Sequence, residues 1–230
     1  MNEITAVLFD IDGTLLDMKG AGRRAFILAL EKVFGWKDDL AYINFAGNTD
    51  LNVLRQIMES RKTTLADSDI ARFFEQIPIE LEREAKNAEL ILYPGVRLLL
   101  ETLAADERAM LGLVTGNIEA CAKIKLRQFD LHDHFVLGGF GDRFPDRADI
   151  ACHALQLVKD RLDSGQSLQQ VFLIGDTPYD VAAARHIGAV AIAVSTGKFS
   201  ARELQECGAD HVLETLKDTG QVLNLLGVGA

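Results

Sequence analysis

The sequence predicts an α/β fold in which helices cover both faces of a parallel, doubly wound sheet. Short and nearly continuous apolar runs recur along the chain, for example TAVLFD (5–10) and VFLIGD (171–176). Such runs are typical of strands that are buried on both faces. Helical patterns separate the later runs, and this alternation is typical of βαβ units in a parallel sheet.

The predicted strands each end on a small or acidic residue, and they lie at 5–10, 110–116, 134–139, 171–176, 189–195 and 209–214. The helices that alternate with them are predicted at 95–106, 118–129, 148–162, 178–187, 200–207 and 215–226. Ligands of doubly wound sheets bind at the carboxyl ends of the strands. The residues that close the strands are therefore the first candidates for a functional site.

One segment, residues 18–90, breaks the alternation because it contains no convincing strand. Helices are predicted there at 20–35, 50–60 and 67–89, and Pro78 is expected to kink the last helix or to split it in two. The turn residues of YPGV (93–96) then return the chain to the sheet. These features predict two domains: a core of residues 1–17 and 92–230, and an all-helical domain of residues 18–91.

Composition and charge argue against several classes of partner. The 230 residues are 48% hydrophobic and carry a net charge of −10, so we expect no nucleic acid and no membrane partner, both of which favour a basic face. The three cysteines are widely spaced, which is typical of a reducing compartment. No signal peptide or membrane-spanning run is visible, and we predict a cytoplasmic protein.

Carboxylates follow two of the buried strands. Asp10 and Asp12 close the first strand, and an extended backbone would place both side chains on the same side. A pair so close needs a cation or a shared proton, although a solvated Asp-Gly turn explains the fragment equally well. Asp176 closes a later strand and adds a third carboxylate, as a hard divalent cation would require.

The residues around Asp176 have a structural interpretation of their own. Thr177 and Pro178 are typical of a helix N-cap and first position, and Asp180 lies in the first turn. Asp180 therefore either caps the helix or supports the site. Thr115, Gly116 and Asn117 end another strand, where a hydroxyl and backbone N–H groups can hold a phosphate.

In this order, the motifs DIDGT (10–14), TGN (115–117) and GDTPYD (175–180) resemble those of the haloacid dehalogenase superfamily, and the resemblance covers nearly the whole chain. It implies a Rossmann-like core, a helical cap domain and a Mg²⁺-dependent reaction through an aspartyl-phosphate. The branch that it suggests is the capped phosphatases, similar to phosphoglycolate phosphatases. The substrate would then be a small phosphorylated metabolite, and the protein a monomer or homodimer.

The resemblance also implies roles for individual residues. Asp10 would be the nucleophile, Asp12 the general acid and then base, and Thr115 the hydroxyl that holds the phosphate. Asp10, Asp176 and the backbone carbonyl of Asp12 would bind Mg²⁺, with Asp180 supporting them. Asp12 favours a phosphatase over a dehalogenase, because expelling an alkoxide requires a proton donor and expelling a halide does not.

The family's usual lysine before the next helix is missing from GGFGDRFPDRAD (138–149). A cation is needed there to screen the nucleophile and the transferring phosphoryl group. We predict that Arg147, nearest the helix start, supplies it, and Arg143 is the alternative. A phosphomutase similar to β-phosphoglucomutase, or a silent binding module on the same fold, remain the alternative functions.

Substrate contacts are predicted at both domains. Gly116 and Asn117 would bind the phosphate, and the resemblance suggests that Arg23, Arg24 and the loop 46–50, with Thr49, face the site from the cap. For Arg24 a plain surface position is an equal alternative, because an amphipathic helix needs charged residues on its outer face.

Overall fold

The computed structural model describes residues 2–228, and positions 1, 229 and 230 lie outside the described residues. Six parallel strands form one sheet in the order β5-β4-β1-β6-β7-β8. Their bounds are β1 Asn2–Phe9, β4 Ala109–Val114, β5 Leu137–Gly139, β6 Gln166–Gly175, β7 Val190–Val194 and β8 His211–Leu213. The predicted fold class is thereby confirmed, with the predicted strands at 134–139 and 209–214 shortened.

The central strand β1 explains why the sheet is covered on both faces. Its residues from Ile4 onward are buried, and alternate side chains enter different cores. Val7 and Phe9 belong to the core on one face, and Ala6 and Leu8 belong to the core on the other. Since successive side chains of a strand point to opposite faces, a continuous apolar run is what a two-sided core requires.

The helices follow the predicted order, with bounds α1 Ala21–Phe34, α2 Asp50–Ser60, α3 Asp67–Ala85, α4 Val96–Ala104, α5 Glu119–Arg127, α6 Arg147–Asp160, α7 Pro178–His186, α8 Ala201–Glu206 and α9 Thr219–Leu226. None of the helices within residues 2–228 is long and apolar enough to cross a membrane. The cytoplasmic location stays a prediction.

The segment between β1 and β4 is largely helical, as predicted. Helices α1 and α3 pack together, and the rings of Phe26 and Phe73 meet edge to face with centroids 4.9 Å apart. Helix α3 runs without a break through Pro78, so the predicted alternative of two helices is wrong. Burial of Phe73, Ile77 and Leu81 along one face holds the helix across the proline.

A two-stranded antiparallel ribbon was not predicted. Strand β2 (Leu16–Asp17) pairs with β3 (Ile91–Leu92) where the chain leaves the core and where it returns. The ribbon holds the outgoing and the returning chain segments side by side, close to the predicted domain boundaries at 17/18 and 91/92. The division into domains at those positions stays a prediction.

The strand order indicates where on the sheet a binding crevice lies. From β1 the chain passes to β4 and β5 on one side and later to β6, β7 and β8 on the other. The order therefore reverses at β1, and a crevice forms outside the carboxyl ends at such a switch point. The residues following β1, β4 and β6 all lie beside this crevice.

Candidate active site

Three predicted site residues follow the three central strands. Asp10 follows β1, Thr115 follows β4 and Asp176 follows β6, and all three are buried. Because β1 is hydrogen-bonded to both other strands, their carboxyl ends meet at one edge. The expectation that these side chains come together is met, and each of them lines one cavity.

The carboxylates form a compact acidic cluster. Oxygens of Asp10, Asp176 and Asp180 lie within 4.8 Å of one another. Burial raises the pKa of Asp10 to about 7, with Arg147 opposing and neighbouring carboxylates adding to the shift. Burial and then the charge of Asp10 raise the pKa of Asp176 to about 9. Oxygen donors this close, with costly negative charge, fit a hard divalent cation.

Two glycines leave the space that Asp176 occupies. A Cβ atom at Gly13 would lie 2.3 Å from Asp176 Oδ2, and one at Gly197 would lie 1.7 Å from the same oxygen. Gly13 also has a φ of +87°, which L side chains rarely adopt. Thr14 donates to Asp176 Oδ1 over 3.3 Å. Backbone therefore packs directly against this carboxylate and fixes its position.

Arg147 supplies the cation that faces Asp10. It is the first residue of α6, whose N-cap Asp146 accepts a hydrogen bond from Ala148 N. Its buried guanidinium donates through Nη2 to Asp10 Oδ1 and, over 3.3 Å, to the carbonyl of Val114. Arg143 is exposed and does not line the cavity, so the geometry favours Arg147.

Asp180 caps helix α7, one of the two interpretations that its position allows, and its support of the metal site stays a prediction. Its Oδ2 accepts from Thr177 N at 3.0 Å and from Thr177 Oγ1 at 2.7 Å, which completes a capping box at the start of α7. Its Oδ1 lies 2.7 Å from Arg147 Nε. Asp180 thus joins the helix cap to the arginine that contacts Asp10.

Asp12 points to a different group of partners. Lys125 Nζ lies 2.8 Å from its Oδ1 and 2.6 Å from its Oδ2, and Asn117 Nδ2 donates to Oδ2 over 2.7 Å. The Asp12 side chain is 42% exposed, whereas that of Lys125 is 6% exposed. The two carboxylates of the DIDGT motif therefore have separate cationic partners, Arg147 for Asp10 and Lys125 for Asp12.

A cavity of about 690 Å³ connects these groups to the helical segment. Asp10, Asp12, Asp176 and Thr115 line one end. The helical segment contributes both apolar and polar side chains to the other wall, among them Phe26, Phe45, Val53, Ile77, Leu81, Lys19, Arg23, Asn48 and Asp50. A phosphate group at the strand ends would thus leave room for the rest of a substrate beneath helices α1, α2 and α3.

The family model for haloacid dehalogenase-like hydrolases matches residues 7–194. The chain belongs to this family. The hydrolase is 29% identical to a phosphoglycolate phosphatase of Chromobacterium violaceum, over 95% of this chain and 96% of the relative. It is 26% identical to a Caldanaerobacter subterraneus relative named as a pyrophosphatase, over 97% and 95% of the two chains.

The fold of this protein is also similar to that of a hydrolase from Pseudomonas syringae whose crystal structure is solved. The TM-score is 0.71 at 23% identity, and the match covers 97% of this chain and 99% of the other. Together with the family match, this likeness confirms the predicted superfamily and its α/β core.

Only some of the residues predicted to face the hydrolase's substrate line its cavity. Arg23 lines it, with its guanidinium 5.0 Å from the ring centroid of Phe45. Arg24 does not line it, because Arg24 Nε pairs with Glu84 Oε2 at 2.5 Å and Nη1 donates to the Lys19 carbonyl. Thr49 does not line it either: its hydroxyl accepts from Asn52 N and donates to the Pro145 carbonyl.

The loop before α2 packs tightly against the core at Gly116. A Cβ atom at Gly116 would lie 2.0 Å from the carbonyl oxygen of Asn48, and the Gly116 carbonyl accepts from Asp50 N at 2.8 Å. The Asp50 carboxylate in turn accepts from Ile118 N at 2.8 Å. Gly116 therefore serves at least as a contact between the helical segment and the core, and phosphate binding there stays a prediction.

Two features of the site of this hydrolase were missed. Asn117 was expected to act through its backbone, but its side chain donates to Asp12 and Thr115 and accepts from Lys125. Lys125 was not predicted at all. The signal was present: the residue falls on the buried stripe of α5 with Cys121 and Ala122, where a lysine needs a polar partner.

Proposed function

We propose that this hydrolase is a Mg²⁺-dependent phosphomonoesterase that acts on a small phosphorylated metabolite through an aspartyl-phosphate on Asp10. The observation that carries the proposal is the separation of the two motif carboxylates. Asp10 lies buried against Arg147 and beside Asp176, while Asp12 lies at the cavity with both of its oxygens near Lys125. This separation supports attack by Asp10 and proton transfer by Asp12.

In the first half of the proposed reaction, a carboxylate oxygen of Asp10 attacks phosphorus and the ester P–O bond breaks. Asp12 donates its proton to the departing alkoxide, which leaves as an alcohol. Arg147 and the Thr115 hydroxyl hold the phosphoryl oxygens. These roles agree with the general rule that phosphoryl transfer depends on positioning and on charge neutralisation.

In the second half, a water molecule attacks the phosphorus of the aspartyl-phosphate, and Asp12 takes the proton from that water. Inorganic phosphate leaves, and Asp10 returns to its carboxylate form. Asp12 then carries the proton for the next cycle. The same residue serves both halves because the alcohol departs from, and the water enters at, the same side of phosphorus.

Mg²⁺ would be held by the carboxylates of Asp10 and Asp176 and by the backbone carbonyl of Asp12. Asp180 would support the metal ligands and would not bind the ion itself, because its two oxygens already contact Thr177 and Arg147. When bound, the ion would neutralise charge on the acidic cluster and on the phosphoryl oxygens. The raised pKa values of Asp10 and Asp176 support this assignment, because a nearby cation would favour their ionised forms.

The two named relatives support phosphoryl chemistry, since one is named a phosphoglycolate phosphatase and the other a pyrophosphatase. A screen of phosphorylated metabolites, with phosphate release measured with and without Mg²⁺, tests the proposal. We expect Mg²⁺-dependent release from at least one ester and its loss in Asp10→Asn. Isomerised sugar phosphate without free phosphate would instead indicate a mutase, and no turnover of any kind would indicate a silent binding module.

A further inference from the structure

We propose that Lys125, acting with Asn117, is a positioning residue that holds the Asp12 carboxylate in the place from which it transfers its proton. The inference rests on the proposed function, because it assigns Asp12 the role of general acid and base. It adds a cationic partner for Asp12 that is separate from the one for Asp10.

The network around Lys125 is closed. Its Nζ lies within 2.8 Å of both Asp12 oxygens and 2.6 Å from Asn117 Oδ1. Asn117 Nδ2 donates to Asp12 Oδ2 and, over 2.7 Å, to Thr115 Oγ1. Every polar atom of the Asn117 amide thus has a partner, and this fixes which way the amide faces.

The different exposure of Lys125 and Asp12 indicates that their ion pair serves to orient Asp12. Lys125 is buried and needs the acceptors, whereas Asp12 is 42% exposed at the cavity and would be hydrated without a partner. Bidentate contact with a buried ammonium instead restricts Asp12 to one orientation. A proton-transfer group gains from such restriction, because small displacements of a reacting group cost rate.

Lys125 also reaches the boundary with the helical segment. A Cβ atom at Gly22, in the first turn of α1, would lie 3.5 Å from Lys125 Nζ and 3.8 Å from its Cε. Burial lowers the pKa of Lys125, but Asp12 and, to a smaller extent, Asp50 on α2 raise it above its usual value. The ammonium is therefore enclosed by the core motif loops and by the start of α1.

Aryl phosphates separate a positioning role from a purely structural one. Cleavage of p-nitrophenyl phosphate needs little protonation of its leaving group, whereas cleavage of phenyl phosphate needs more. The ratio kcat/KM reports the first half of the reaction, in which Asp12 acts as acid. We expect Lys125→Met to lower kcat/KM about 100-fold for phenyl phosphate and less than about 5-fold for p-nitrophenyl phosphate.

The matched control is Lys123→Met, which makes the same change on the same helix at an exposed lysine paired with Glu119. It should leave both substrates unaffected. Asp12→Asn should show the same substrate dependence as Lys125→Met, and the double variant should add little to the single ones. If Lys125→Met does not fold, Asn117→Ala offers the same comparison with the lysine in place.

An equal loss on both substrates, or no loss, would overturn the positioning role. That result differs from failure of the proposed function, in which the wild-type protein would cleave neither ester. In the latter case there is no reaction in which Asp12 could transfer a proton, and the inference fails together with the proposed function.

Discussion

Arg147 Nε lies 2.7 Å from Asp180 Oδ1. The same guanidinium donates through Nη2 to the proposed nucleophile Asp10. Asp180 is itself fixed by the capping box at the start of α7. The contact between Asp180 and Arg147 is an ion pair whose geometry is not that of a hydrogen bond, so the capped carboxylate holds by its charge the arginine that donates to the nucleophile. The charges of Asp10 and Asp180 raise the pKa of Arg147, in spite of its burial, so the guanidinium stays charged.

Asp180→Asn tests this relationship. The amide keeps an oxygen for the capping box but loses the charge that holds Arg147. We expect kcat for p-nitrophenyl phosphate to fall about 10-fold, with a change in the unfolding free energy below about 1 kcal/mol. Steady-state kinetics and urea unfolding measure the two effects. A large loss of stability with unchanged kcat per folded molecule would show that Asp180 serves only as a cap.

Replacing each candidate arginine tests which one assists phosphoryl transfer. Arg147→Ala should lower kcat about 100- to 1,000-fold, because a buried donor to Asp10 and to the transferring phosphoryl group is removed. Arg147→Lys should recover part of the loss, since it restores charge without the bidentate fork. Arg143→Ala should be close to wild type, and the reverse pattern would transfer the role to Arg143.

Gly197→Ala tests the close packing of backbone against Asp176. The new methyl group would lie 1.7 Å from Asp176 Oδ2, so the carboxylate must move. We expect the apparent affinity for Mg²⁺, measured by metal titration of activity, to weaken at least about 10-fold. Gly165→Ala is the control, because nothing lies within 4 Å of the added atom. Equal Mg²⁺ affinity in both variants would argue against Asp176 as a metal ligand.

Asp50 should make stability depend on pH. Burial raises its pKa to about 6, with the Ile118 N–H and Lys125 opposing, against about 3.9 in an unfolded chain. The folded state therefore binds the proton more tightly, and stability falls as the pH rises from about 4 to about 6. Between pH 4 and pH 8 the stability of Asp50→Asn relative to wild type should therefore increase by about 2 kcal/mol.

Urea unfolding at pH 4 and pH 8 measures this difference. Asp133→Asn is the matched control, since that side chain is 90% exposed. A difference between Asp50→Asn and wild type that is the same at both pH values would contradict the assigned shift.

Much of the site could be predicted because it lies at strand ends. Asp10, Thr115 and Asp176 each close an apolar run, and parallel strands bring their carboxyl ends to one edge. Arg147 was predicted from the resemblance, which implies a cation in that stretch, and from its place nearest the helix start. These inferences needed the motifs and the order of the elements but no side-chain geometry.

Other features depend on distances that a sequence pattern does not contain. Lys125 reaches Asp12 because of how α5 is rotated against the first loop, and periodicity shows only that the lysine lies on the buried stripe. Arg23 and Arg24 are neighbours on α1, yet one lines the cavity and the other pairs with Glu84. The β2–β3 ribbon has two residues in each strand, too few for a recognisable pattern.

Trapping the covalent intermediate tests the central claim most directly. The protein would be mixed with p-nitrophenyl phosphate and Mg²⁺, quenched in acid and digested, and its peptides analysed by mass spectrometry. We predict a phosphoryl group on Asp10 in the wild-type protein, more of it in Asp12→Asn, where its hydrolysis is slowed, and none in Asp10→Asn. Release of phosphate with no phosphoryl group on Asp10, or with one on a different residue, would contradict the account.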